Sequence, residues 1–143
     1  MWLAEISILK SKKKNLESYA KNLIKRSPYT PGVSIVAPAY NEEMTIVENV
    51  NSLLAQDYPL FEVIIVNDGS KDGTLQKLID NFDLVEVPYA YVAQLKTKPY
   101  KRMFKSTNPE FAKLKVVDKE NGGTKADAVN AGLNAASFPY FVN

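Results

Sequence analysis

The stretch Val33-Ser34-Ile35-Val36-Ala37-Pro38-Ala39-Tyr40-Asn41-Glu42-Glu43 decides the fold. Val33 to Ala37 is a short, largely apolar run suited to a strand buried on both faces, as in a parallel sheet. Pro28, Pro31 and Gly32 punctuate the chain just before it, so the domain proper begins at about residue 32. After the strand, Asn41 can cap a helix whose apolar face is Ile46, Val47, Val50, Leu53 and Leu54, and Asp57-Tyr58-Pro59 ends it. A second strand is expected at Phe61 to Val66. Ser70 or Asp72 then starts a helix with Leu75, Leu78, Ile79 and Phe82 on one face, ahead of a third strand near Leu84 to Val87. The alternation βαβαβ with short connections predicts an α/β fold: an open, mainly parallel, Rossmann-like sheet with helices on both faces, in which ligands bind beyond the carboxyl ends of the strands.

Pro88 to Phe111 breaks this rhythm and reads as an insertion, with Tyr89, Tyr91, Tyr100, Phe104 and Phe111 interleaved with lysines and prolines. A hairpin or loop packed by its own aromatics is one reading of it, and stacking on a sugar or a single-stranded nucleic acid the other. Leu114 to Asp118 reads as another strand, Thr124 to Ala136 as a small-residue helix, and Tyr140 to Val142 as the start of a final strand. Ahead of the domain, residues 1–31 contain apolar positions Leu16, Tyr19, Ala20, Leu23 and Ile24 at helical spacing among Lys12, Lys13, Lys14, Lys21, Lys25 and Arg26. This basic amphipathic helix suits either an anionic membrane surface or another part of the protein, or else is a solvated helix packed on the domain.

Charge and composition narrow the chemistry. Residues 1–26 hold seven Lys/Arg against Glu5 and Glu17, so the net charge of +2 conceals a mildly acidic remainder. That argues against a nucleic-acid-binding body, which would present a basic face. With neither cysteine nor histidine in the chain, disulfides, thiolate metal sites and imidazole bases are all excluded. The apolar start, Met1 to Leu9, is too short to span a bilayer, and no small-residue cleavage signal follows it.

Three segments fall where this topology places a ligand: Ala37 to Glu43, Asn67-Asp68-Gly69-Ser70, and Asn121-Gly122-Gly123-Thr124-Lys125-Ala126-Asp127. Neither the dinucleotide fingerprint G-x-G-x-x-G nor the phosphate loop G-x-x-x-x-G-K-[ST] is present. Tyr40 offers a flat ring to stack on a base, and Glu42 and Asp68 offer acceptors to base N–H or ribose hydroxyls. Lys125 places a cation near a helix N-terminus, a favourable place for a diphosphate. Asp127 would repel phosphate, so it either orients Lys125 or accepts from sugar or base. Each residue also has a purely structural duty open to it: Asp68-Gly69-Ser70 makes a good turn, and Asn41 or Glu42 can serve only as a cap or a first-turn charge.

Taken together, Val33 to Glu43, Val63 to Thr74 and Asn121 to Leu133 resemble the ordered signature of family 2 glycosyltransferases, nearest to the bacterial membrane-associated synthases of the cellulose, hyaluronan and poly-N-acetylglucosamine type. The resemblance implies a GT-A fold over residues 32–143. It implies a donor site for a nucleotide sugar, most simply a UDP-sugar, in which Pro38, Tyr40 and Glu42 line the nucleotide pocket, Asp68 with Gly69 receives the uridine, and Lys125 and Asp127 complete the site. Asn67 stands where many members have a second aspartate. The resemblance also places the D-x-D motif for Mg²⁺ or Mn²⁺, the catalytic base and a Q-x-x-R-W segment beyond Asn143. On this expectation the chain is a soluble, inactive fragment with no catalytic residue or metal ligand of its own. Its parent is an inverting glycosyltransferase at the cytoplasmic side of the membrane, passing sugar to a glycan or other acceptor, and the fragment's open sheet edge favours self-association. A stand-alone nucleotide-binding or regulatory domain is the alternative. A sugar nucleotidyltransferase would need a Gly-rich basic loop after the first strand, which Ala37 to Glu43 lacks.

Overall fold

A computed structural model describes residues 2–88 and 93–143, and the side-chain surroundings of 12–24, 27–88 and 93–143. Its elements run α1 (Trp2–Arg26), β1 (Val33–Ala39), α2 (Ile46–Leu54), β2 (Phe61–Asp68), α3 (Thr74–Asn81), β3 (Leu84–Glu86), β4 (Tyr100–Ser106), a 3₁₀ turn (Pro109–Phe111), β5 (Leu114–Lys119), α4 (Lys125–Asn134) and β6 (Tyr140–Val142). The chain divides into two units, residues 1–30 with 58–60, and residues 31–57 with 61–143. The first contains α1, whose Leu16, Tyr19, Leu23 and Ile24 are all exposed. No helix among the described residues is long and apolar enough to cross a membrane.

The second unit is built on one six-stranded sheet of order β3-β4-β5-β2-β1-β6. Strands β5, β2, β1 and β6 pair in parallel, while β4 is antiparallel to both β5 and β3. The central strand β2, FEVIIVND, is buried along its whole length, its apolar stretch Val63 to Val66 being flanked by the buried polar residues Glu62, Asn67 and Asp68. The helical crossovers run opposite ways along the sheet: β1–α2–β2 and β2–α3–β3 move toward the β3 edge, whereas β5–α4–β6 moves back over β2 and β1. Because such crossovers are right-handed, α2 and α4 must lie on opposite faces. Val36, Ile64, Val66 and Val117 pack on one face with Ala128, Ala131 and Ala135 of α4. Small residues let this helix sit close: a Cβ at Gly132 would lie 2.3 Å from Val36 Cγ1. Ile46 and Val50 of α2 and Thr74 and Leu78 of α3 are the buried positions of the helices on the other side.

Two expectations are corrected. Asn41 does not cap α2; it adopts φ 53° in the preceding turn, and its side chain accepts from the Lys71 amide at 2.8 Å. The helix starts later, at Ile46, with the Glu42 carbonyl accepting the Thr45 and Ile46 amides. Nor is Pro88–Phe111 merely a hairpin or loop packed by its own aromatics, since it contributes β4, an interior strand with Met103 and Phe104 buried. Tyr89 and Tyr91 lie outside the described residues. Before β4 the chain is strapped to α4: Asn134 exchanges two hydrogen bonds with the Leu95 backbone, and the Lys98 amide donates to Asp127 Oδ1 at 2.9 Å.

Candidate nucleotide site

Neighbouring strands whose connections leave toward opposite faces open a crevice at their carboxyl ends. In this sheet those strands are β2 and β5, and their terminal residues in register are Asp68 and Lys119. A cleft of about 400 Å³ lies there, with Tyr40, Glu42, Asp68, Asn121, Thr124 and Lys125 among its walls and Pro38 at its base. Five residues singled out from sequence, Pro38, Tyr40, Glu42, Asp68 and Lys125, therefore meet around one space although they come from three separate segments.

Each wall is fixed by local structure. The β1–α2 turn is clipped to the β2–α3 turn: the Asn41 amide donates to Ser70 Oγ, the Glu42 amide to Thr74 Oγ1 at 2.8 Å, and the Gly73 amide to Glu43 Oε2. That holds the exposed Tyr40 ring at the rim. Gly69 adopts φ +66°, and a Cβ there would lie 2.7 Å from the Asn121 amide nitrogen, so glycine allows the β2 and β5 loops to touch. Asn121 closes that contact by donating to the Asp68 carbonyl at 2.8 Å while accepting the Gly123 amide. Thr124 caps α4, accepting the Asp127 amide, and presents Lys125 in the first turn of the helix. The positive end of the α4 dipole and the Lys125 ammonium consequently share one wall of the cleft.

Gly69 and Asp127 do not line the cleft, and Asp127 does not orient Lys125. Its carboxylate instead turns inward to Lys119, with Oδ2 2.6 Å from Nζ. The same ammonium contacts Asp68 Oδ1 at 2.7 Å and donates to the Glu120 carbonyl, and its side chain is 0% exposed. Asp68 Oδ1 also accepts the Gly122 amide at 3.0 Å. Burial works to lower the Lys119 pKa, but the hydrogen bonds and charges of Asp127 and Asp68 outweigh it and hold the ammonium above its ordinary value. For Asp127 burial works upward, and Lys119, the Lys98 amide and both lysine charges bring the carboxyl below its ordinary value. Lys119 is the residue that sequence reasoning missed. The sequence offered only its place next to the strand expected at Leu114 to Asp118, since its pairing with the end of β2 comes from the register of the sheet.

Residues 34–87 match the family model described as glycosyl transferase family 2. The chain belongs to that family. A poly-β-1,6-N-acetyl-D-glucosamine synthase of Staphylococcus epidermidis is 33% identical over 109 residues, covering 76% of this chain and 20% of that protein. A hyaluronan synthase of Streptococcus pyogenes is 38% identical over 66 residues, covering 46% of this chain and 16% of that protein. The family 2 chain described here thus spans about a fifth or less of the length of these relatives. Among solved structures, S. aureus TarS superposes with a TM-score of 0.51 at 28% identity, covering 78% of this chain and 26% of that one. The Pyrobaculum calidifontis mannosyltransferase PcManGT, solved with GDP-Man and Mn²⁺, gives 0.55 at 25% identity, covering 86% and 32%. The mostly parallel sheet with helices on both faces is accordingly the GT-A fold of these glycosyltransferases.

Proposed function

We propose that this chain supplies the nucleotide half of the donor site of an inverting family 2 glycosyltransferase, and that the donor is a UDP-sugar. The observation that carries the reading is the Asp68 carboxylate at the switch point of the sheet. Its Oδ1 is held by Lys119 and the Gly122 amide, while Oδ2 has no partner among the described residues and Asp68 faces the cleft. An ionised carboxylate is an acceptor only, which suits the N–H of a pyrimidine base or a ribose hydroxyl. Tyr40 supplies a ring face for the base, Glu42 a second acceptor, and Lys125 with the start of α4 a cationic wall for the diphosphate. In the whole protein the anomeric carbon–oxygen bond to the diphosphate breaks as the acceptor oxygen bonds to the opposite face of that carbon. The acceptor's proton passes to a base. No residue of this cleft is assigned that role. The acceptor, a glycan or other hydroxyl compound, is part of the same proposal, as is an anionic membrane surface for the basic helix α1.

A divalent cation enters this reading through the Mn²⁺ of the solved mannosyltransferase. When bound, such an ion neutralises the leaving diphosphate. The cleft carboxylates seen here do not fit one. Lys119 already lies between Asp68 and Asp127, and no group of three or more Asp or Glu able to hold a metal occurs among the described residues. Nucleotide binding by these residues is therefore expected to be independent of metal. A titration of UDP with and without Mn²⁺, followed by amide NMR shifts, tests this. The expected result is saturable shifts around the cleft that Mn²⁺ leaves unchanged and Asp68→Ala abolishes. No response at millimolar UDP would sink the reading.

A further inference from the structure

The Lys119 ammonium donates to Asp68 Oδ1 and to the Glu120 carbonyl and forms an ion pair with Asp127 Oδ2 at 2.6 Å. Its side chain is fully buried and does not line the cleft, so it does not reach a ligand directly. Burying an ammonium costs several kcal/mol unless it is fully paired, and a neutral side chain would serve if β5 needed only packing at its end. What the lysine accomplishes is geometric. Asp68 closes β2, Lys119 closes β5 and Asp127 lies in the first turn of α4, so one nitrogen ties together the three elements that meet at the cleft. The glycine beside it confirms how little slack this arrangement has, since a Cβ at Gly122 would lie 2.0 Å from Asp127 Oδ2.

Building on the nucleotide-site reading above, we propose that Lys119 is a positioning residue for that site. Its ammonium draws Oδ1 of Asp68 inward, leaves Oδ2 presented to the cleft, and through Asp127 fixes the N-terminus of α4, and with it Lys125, at a set distance from that carboxylate. Charge neutralisation alone would not require this geometry. The two proposals differ in what happens when the cluster's charge is kept and the tie is removed.

The charged groups facing the cluster are Asp68 from β2, Asp127 and Lys125 from α4, Lys98 from the segment before β4, and Glu42 from the turn before α2. In Lys119→Met two carboxylate oxygens remain within about 5 Å of one another in a buried setting, and such a pair takes up a proton more readily than either group alone. The double variant Lys119→Met/Asp127→Asn has the same net charge as the native cluster but no tie.

The test follows the Asp127 side-chain carbon and the Gly122 amide by NMR in the ligand-free chain from pH 5 to 8, and then UDP affinity over the same range. For Lys119→Met the Asp127 carbon should titrate within that range, the Gly122 amide should shift, and UDP affinity should fall about tenfold and become pH-dependent. In the double variant the weakening should persist without the pH dependence, while Asp127→Asn alone, nearly isosteric and retaining the lysine, should weaken binding roughly threefold or more. Native affinity in the folded double variant or in Asp127→Asn would overturn the proposal and reduce Lys119 to a charge balance. An unmoved Gly122 amide and Asp127 carbon in Lys119→Met would overturn it whatever UDP does. If the native chain binds no UDP while those two probes move as stated, the nucleotide reading fails and the positioning of Asp68 by Lys119 stands.

Discussion

Gly122 has no room for a side chain. Its missing Cβ would meet not only the Asp127 oxygen but also Asp127 Cβ, at 2.6 Å, so rotating the aspartate about its own bonds does not clear the space. Gly122→Ala must therefore push the first turn of α4 away from the β5 loop, or push the loop away from Asp68, to which its amide donates. Overpacking of this kind costs about 1–3 kcal/mol, and here it falls directly on the wall that carries Lys125. The variant is expected to unfold at a lower urea concentration and to bind UDP several-fold more weakly. Gly123→Ala offers the comparison, because nothing lies within 4 Å of a Cβ there, although φ +74° strains any L-residue. If Gly122→Ala loses no more UDP affinity than Gly123→Ala, the close approach at Gly122 is irrelevant to the cleft.

At the opposite ends of the strands a second buried ion pair governs how elements join. Glu62 of β2 lies 2.7 Å from Lys115 Nζ of β5, accepts from Ser34 Oγ of β1 at 2.6 Å, and accepts from the Ser137 amide just after α4. Lys115 also donates to Ser137 Oγ, so this cluster sets where the chain leaves α4 and turns into β6. Burial works to raise the Glu62 pKa, but the hydrogen bonds of Lys115, Ser34 and Ser137 together with the Lys115 charge prevail, and the folded carboxyl lies below 4.5, its ordinary value. A depressed carboxyl contributes stability that is fully present above the unfolded pKa and is lost as pH falls through the folded one. Urea midpoints should hold steady between pH 7 and 5.5 and drop below about pH 4.5, and Glu62→Gln should lose roughly 3 kcal/mol at pH 7 together with part of that acid slope. An acid slope unchanged in Glu62→Gln would assign it to other carboxyls. The elements legible in the sequence were those whose apolar runs and turns carry a single period: β1, α2, β2, α3, β3, β5, α4 and the start of β6 could all be located, and with them the positions of Asp68 and Lys125. β4 was not, because in Tyr100-Lys101-Arg102-Met103-Phe104-Lys105-Ser106 only Met103 and Phe104 are buried, and its alternation is broken by a register shift near Arg102. Lys119 was hidden for a related reason. A lysine before Glu120 and Asn121 reads as solvated, and only the parallel register of β5 on β2 sets it against a buried carboxylate.

At the scale of the molecule, every residue lining the cleft belongs to the unit made of residues 31–57 and 61–143. Helix α1 belongs to the other, and its described part exposes Leu16 at 68%, Tyr19 at 65% and Leu23 at 55% among exposed Lys12, Lys13, Lys14 and Lys21. An apolar stripe open to solvent beside a cluster of lysines has two attractions for an anionic bilayer. Apolar burial contributes about 25 cal/mol per Å² removed from water, and each lysine near a phosphatidylserine-rich surface contributes about 1 kcal/mol. The electrostatic share should vanish on neutral lipid and weaken with salt, since charges at a surface are screened over about 8 Å at physiological ionic strength. The full chain is accordingly expected to sediment with vesicles containing phosphatidylserine and much less with pure phosphatidylcholine, and to be released by raised salt. A variant lacking residues 1–26 should stay in the supernatant while its cleft amides respond to UDP as those of the full chain do. Undiminished sedimentation after the deletion would move the membrane contact out of α1, and a lost UDP response would show that the cleft depends on the helix that the unit division separates from it.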